Sequence, residues 1–118
     1  VSAETEIFAA LKGLAGNRVF PDVAPANTAR PYITYTSVDG EAINYLEQEA
    51  PDKENNRWQV NVWADTRLEA STLARQAANA LRLTPALHTR VLGAPTAIYE
   101  PDTKLRGTRQ DFSCWVDV

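Results

Sequence analysis

The stretch from Arg57 to Leu83 constrains the fold most, because its apolar period switches from two to about 3.6. In Trp58-Gln59-Val60-Asn61-Val62-Trp63-Ala64, the residues Trp58, Val60, Val62 and Ala64 fall on one side of a strand. Thr66 and Glu69 then form a capping box, the hydroxyl reaching the Glu69 amide and the carboxylate reaching back to the Thr66 amide. Behind it, Ala70, Leu73, Ala74, Ala77 and Leu81 share one face of a helix. A half-buried strand feeding a capped, alanine-faced helix is a packing unit. It holds no reactive group.

The flanking segments extend this pattern. Residues 2–15 read as a first helix with Ile7, Phe8, Leu11, Leu14 and Ala15 on one face, Glu4 and Glu6 at its positive end, and Gly16-Asn17 as a left-handed stop. From 19 to 30, Pro21 and Pro25 argue against any regular element. Residues 32–38 are β-branched and aromatic, hence a strand, with Asp39-Gly40 as a hairpin turn and 41–49 returning on it. Residues 50–56 are polar, carry Pro51, and read as a projecting tip. Beyond the second helix, 85–90 is a connector, 91–99 a strand interrupted at Gly93 and Pro95, and 101–107 a turn-rich loop. Phe112, Cys114, Val116 and Val118 alternate with Asp111, Ser113, Trp115 and Asp117 in a terminal strand. The order predicts a single α+β domain over residues 1–118. It has two layers: an antiparallel or mixed sheet of four to five strands, with two helices packed on one face.

Chemistry is scarce. With one cysteine among 118 residues no intrachain disulfide forms, and with one histidine neither a zinc site nor a second-histidine catalytic system assembles. Cys114 falls in phase with Phe112 and Val116 as an inert buried thiol, and His88 sits in a loop. Asp52, Glu54 and Asn56 imitate the start of a calcium loop, but that motif needs glycine sixth and glutamate twelfth, where this chain has Arg57 and Trp63. The five glycines are dispersed, so no phosphate-cradling loop exists. A net charge of −3 argues against a dedicated nucleic-acid binder. No apolar run approaches the ~20 residues of a membrane span, so a soluble intracellular protein is expected.

The anomaly is aromatic. Trp63 shares its strand face with Arg57, Gln59 and Asn61, and Trp115 shares its own with Asp111, Ser113 and Asp117. Facing away from the helices, the two tryptophans either form a protein interface or lie beneath the 41–56 segment folded over them. On the second helix, Thr72, Arg75, Asn79 and Arg82 make a polar stripe, solvated or reaching carboxylates of a neighbouring subunit. Glu47, Glu49, Asp52 and Glu54 make an acidic rim, while Lys104, Arg106 and Arg109 make a basic cluster. Each is either a solvated surface or a docking contact.

Taken in order, several segments resemble the small phage tail-completion or tail-terminator (head-tail joining) proteins of the domain of unknown function 3168 family. They are Asn17-Arg18-Val19-Phe20-Pro21, Ala29 to Tyr35, Arg57 to Thr66, the helix bearing Ala70 and Ala74, Glu100-Pro101-Asp102, and Asp111 to Trp115. The resemblance covers nearly the whole chain. It implies a structural protein that caps the tail tube as a homo-oligomeric, typically hexameric ring, with the tail tube protein and the head connector protein as partners. DNA crosses the lumen non-specifically, and no membrane, cofactor, metal or catalytic residue is involved. The expected location is the host cytoplasm during assembly and then the head-proximal end of the virion tail. Loop tips 47–56 and 101–109 are the docking candidates. Two other classes compete: a small non-enzymatic ligand-binding or regulatory α+β module and, further behind, an enzyme using dispersed carboxylates.

Overall fold

A computed structural model describes residues 2–48 and 50–117. Helix α1 spans Ala3–Leu11, and the Ser2 hydroxyl caps it by accepting from the Thr5 amide at 3.3 Å. It ends four residues short of Ala15, the expected last helical residue. Gly13 is a poor helix former, and Ala15, Gly16 and Asn17 all take positive φ in the short turn that follows. That turn brings Leu14 and Ala15 against the core by a different route from a continued helix.

The next segment corrects the reading of 19–30 as wholly irregular. Val19–Pro21 is a short strand, β1, paired in parallel with β2 (Tyr32–Asp39), Val19 standing opposite Ile33. Proline is tolerated because β1 lies at the sheet edge and ends there. The expected hairpin return over 41–49 is also absent: no strand occurs between 40 and 52 among the described residues, and Glu49 lies outside them. The antiparallel partner of β2 is β3 (Lys53–Ala64), running from Tyr32 opposite Trp63 to Asp39 opposite Arg57. Gly40 serves close approach rather than a tight turn, since a side chain there would collide with the Asn55 backbone. Residues 53–56, expected in a polar tip, are strand residues paired with residues 114–117 at the end of β6 (Leu105–Asp117).

Helix α2 (Arg67–Arg82) follows β3 as the period switch requires, and the Thr66 hydroxyl accepts from the Glu69 amide at 3.1 Å. The single interrupted strand expected over 91–99 resolves into β4 (Arg90–Val91) and β5 (Thr96–Glu100), both antiparallel to β6. The break between them is stitched to β6 by Leu92 N–H to the Asp111 carbonyl at 3.0 Å and Gln110 Nε2 to the Gly93 carbonyl at 2.7 Å. Because β6 begins at Leu105, the loop expected over 101–107 shrinks to 101–104.

The result is a mixed six-stranded sheet in the order β1-β2-β3-β6-β4, with β5 beside β4 on β6, and both helices on one face. Its strand count exceeds the expected four to five because β1 and the divided edge were not foreseen. The inner face carries Ile33, Tyr35, Trp58, Val60, Val62, Phe112, Cys114 and Val116 against Ile7, Leu11, Leu73, Ala74, Ala77 and Leu81 of the helices. Each fully buried Ile, Leu or Phe contributes about 1.5–3 kcal/mol, which holds the layers together without a disulfide. The molecule measures 53 × 26 × 24 Å.

Candidate functional site

The single cysteine and the single histidine sit in different settings, one buried and one exposed. Cys114 is fully buried, burial pushes its thiol up from the ordinary value, and its hydrogen-bonding neighbour is Thr89 Oγ1 at 3.6 Å. His88 is exposed at the end of the turn spanning Pro85–Leu87. No group of three or more histidine, cysteine or carboxylate side chains fit for a metal exists among the described residues. No helix is long and apolar enough to cross a membrane. What remains is surface, and three parts of it are shaped.

The first is the sheet face turned away from the helices. Strand alternation puts Arg57, Gln59, Asn61 and Trp63 of β3 there, opposite Ser113, Asp111, Arg109 and Gly107 of β6 respectively. Trp115, paired with Asn55, shares this face at its other end. Both tryptophans are half-buried rather than standing clear. Between them Arg57 is paired with Asp111 at 2.6 Å. Asn61 Oδ1 is buried without a hydrogen-bond donor, although Asn61 Nδ2 reaches Gln59 Oε1 at 3.5 Å. A buried acceptor left unpaired costs about 1–3 kcal/mol.

The second is a groove of about 640 Å³ between α2 and the 91–97 edge. One wall is a helical stripe of Arg67, Ser71, Arg75, Asn79 and Arg82, spaced three or four residues apart. Arg67 is committed to the fold, donating to the Gly107 carbonyl at 2.7 Å and the Ile98 carbonyl at 2.9 Å. Arg75 and Arg82 are exposed and form no ion pair among the described residues. Arg75, Asn79 and Arg82 of this stripe were legible in the sequence; Thr72, read with them, instead lines a separate groove beside Leu68 and Gln76. The groove between α2 and the 91–97 edge was not legible, because its second wall depends on how the chain crosses between β4 and β5.

The third is the long connection over 40–52, from which Glu47 and Asp52 project exposed; Glu49 lies outside the described residues. Leu46 within it is 99% exposed and Tyr45 42%. The root of this connection is firm. Asn55 is buried, its Oδ1 accepts from the Glu41 amide at 2.9 Å, and its Nδ2 donates to Ser113 Oγ at 2.9 Å and the Cys114 carbonyl at 3.1 Å. Lys53 and Asp117 close the same end of the sheet at 2.8 Å. Nothing in the local sequence marked Asn55 as buried, since Glu41 lies 14 positions before it and Ser113 and Cys114 lie 58 and 59 positions beyond.

The basic residues near 104–109 separate rather than cluster. Lys104 occupies the turn before β6 with a positive φ of 59°. Arg106 lies over the Tyr99 ring at 5.1 Å and donates to the Lys104 carbonyl at 3.3 Å. Arg109, three positions along the strand, faces the opposite side and is exposed.

No curated protein matches the chain in sequence. Among solved structures it is similar to a chain from the structure titled "Virion of native gene transfer agent (GTA) particle", with 16% identity and a TM-score of 0.59. That match covers 99% of this chain and 96% of the other, and likeness at such low identity is likeness of fold. A second solved chain, 14% identical over 100% of this chain and 97% of its own, superposes with a TM-score of only 0.48. Over residues 5–117 the chain matches the model of the family described as Tail completion protein gp17, and it belongs to that family.

Proposed function

We propose that this chain is a structural protein that closes the head-proximal end of a phage-type tail tube as an oligomeric ring, hexameric in the simplest case, and offers the surface on which the head connector docks. The observation that carries the reading is the family match over residues 5–117. A fold shared with a chain of a gene transfer agent virion supports it. The mechanism is steric. One ring face complements the last ring of the tube, and the opposite face lacks the surface that accepts another tube subunit, so growth stops. DNA passes through the lumen without specific contact, and the net charge of −3 suits this because a cationic wall would retain it. Assembly takes place in the host cytoplasm, and the finished ring stays in the virion tail.

The test is removal of the chain from the particle that encodes it, followed by electron microscopy of tails. Over-long tubes of scattered length, without heads, are the expected result. Tails of normal length joined to heads would overturn the reading. Charge reversal at Lys104 and Arg109 then asks whether the tip expected over 101–109 meets tube or connector.

A further inference from the structure

The 40–52 connection and the α2 groove are complementary in charge, and among the described residues neither Glu47 and Asp52 nor Arg75 and Arg82 form an ion pair. Residues 40–52 contain four carboxylates, Glu41, Glu47, Glu49 and Asp52, and no lysine or arginine. The groove carries Arg75 and Arg82, exposed and unpaired among the described residues, with Arg67 at its upper end. Leu46, 99% exposed, gives the acidic segment an apolar tip that solvent alone does not reward. The groove offers it Ala78, Val91, Ala94 and Pro95.

Within one molecule the two stand apart: none of the described residues of 40–52 lines the groove, which runs along Thr108 and Gln110 of β6. The segment leaves the sheet toward the other end of that strand, where Lys53 stands opposite Asp117. The root is itself pinned by Asn55 and by the Lys53–Asp117 pair.

We infer that residues 40–52 act as an arm that docks into the α2 groove of a second copy of this chain, Glu47 and Asp52 meeting Arg75 and Arg82. Arm and groove are different surfaces, so the contact is head-to-tail, the kind that closes into a ring when the rotation between copies permits. The inference rests on the reading of the chain as a ring-forming tail-completion protein and names the contact that joins its subunits.

The test is a charge swap followed by sedimentation at low salt. Wild-type protein associates as concentration rises and dissociates as salt is added. The groove variant Arg75→Glu/Arg82→Glu and the arm variant Glu47→Lys/Asp52→Lys are each monomeric alone. Mixed one to one, they associate again, because every arm then meets a groove of opposite sign. Recovery on mixing excludes misfolding as the cause of the single losses. Wild-type protein that stays monomeric at millimolar concentration overturns the inference, as does a mixture that stays monomeric. So do single variants that assemble like wild type. Tail length separates the two proposals. Normal termination by variants that no longer associate through the arm would remove the arm and leave the tail-capping reading intact. Over-long tails were expected on loss of the chain; normal tails without it would remove the capping reading whatever the swap shows.

Discussion

Gly107 lies directly beneath the Trp63 indole: a Cβ at residue 107 would stand 2.7 Å from Trp63 Cε3 and 2.8 Å from the Val62 carbonyl oxygen. The two residues are register partners across β3 and β6, so the ring fills the space the glycine leaves. Gly107→Ala is expected to destabilise the fold by about 1–3 kcal/mol through overpacking, read as a lower urea midpoint. Adding Trp63→Ala removes the ring contact but leaves the Val62 oxygen in place, so only part of the loss returns. A Gly107→Ala variant as stable as wild type would show that the sheet yields there.

Asn55 ties the root of the 40–52 connection to β6 through three hydrogen bonds. Asn55→Ala leaves the Glu41 amide and the Cys114 carbonyl without this partner, at a cost of about 1–3 kcal/mol. The loosening is local, so proteolysis within 40–52 should accelerate well before the core of the sheet becomes susceptible. Equal cleavage rates in variant and wild type would mean that the connection is held by something else.

Lys53 and Asp117 give a pH dependence whose sign is fixed. The Lys53 ammonium hydrogen-bonds the Asp117 carboxylate and holds its pKa below the ordinary 3.8. The same hydrogen bond raises Lys53 above its ordinary 10.5. A depressed carboxylate contributes stability that is present above 3.8 and lost as pH falls through its folded pKa; a raised ammonium contributes stability present below 10.5 and lost as pH climbs through its folded pKa. Carboxyl chemical shifts followed by acid titration should place Asp117 below the ordinary aspartate value. Lys53→Met should move it back up; an unmoved titration would refute the pairing.

Cys114 is expected to be silent toward thiol reagents. Its side chain is fully buried and burial raises its pKa, so both access and thiolate are lacking. An aromatic disulfide reagent should find no reactive thiol in native protein and one per chain in urea. Prompt labelling of the folded protein would contradict the packing of β6.

The parts of this fold that were legible in sequence are those settled by neighbours along the chain. Trp58, Val60, Val62 and Ala64 alternate, Thr66 caps, and Ala70 to Ala77 repeat at helical spacing; β3 and α2 form where these signals put them. The outward placement of Trp63 and Trp115 followed from the same alternation. Errors arose where distant partners decide. Pro21 looked like a breaker but ends an edge strand. Asp39-Gly40 looked like a tight turn, yet Gly40 is small because the Asn55 backbone passes against it. Lys53 to Asn56 looked like a loop because they are polar, and they are strand because 114–117 lies alongside. Of the surface, the Arg75 and Arg82 stripe was visible, but the wall that turns a stripe into a groove was not.

The two flanks of the sheet bear on how copies of the chain could meet. On one side β1 shields only three residues of β2, beyond which β2 bulges between Ser37 and Asp39. On the other, the outermost row is cut in two between Val91 and Thr96, with Pro95 in the gap. Neither flank presents a foreign strand with a long, straight run of free amides and carbonyls. Backbone zippering, which has no built-in count and runs on into fibres, therefore finds no starting place. Any contact between copies is left to side chains, whose bearings the sheet fixes, and a contact of fixed bearing is the kind that can close rather than run on.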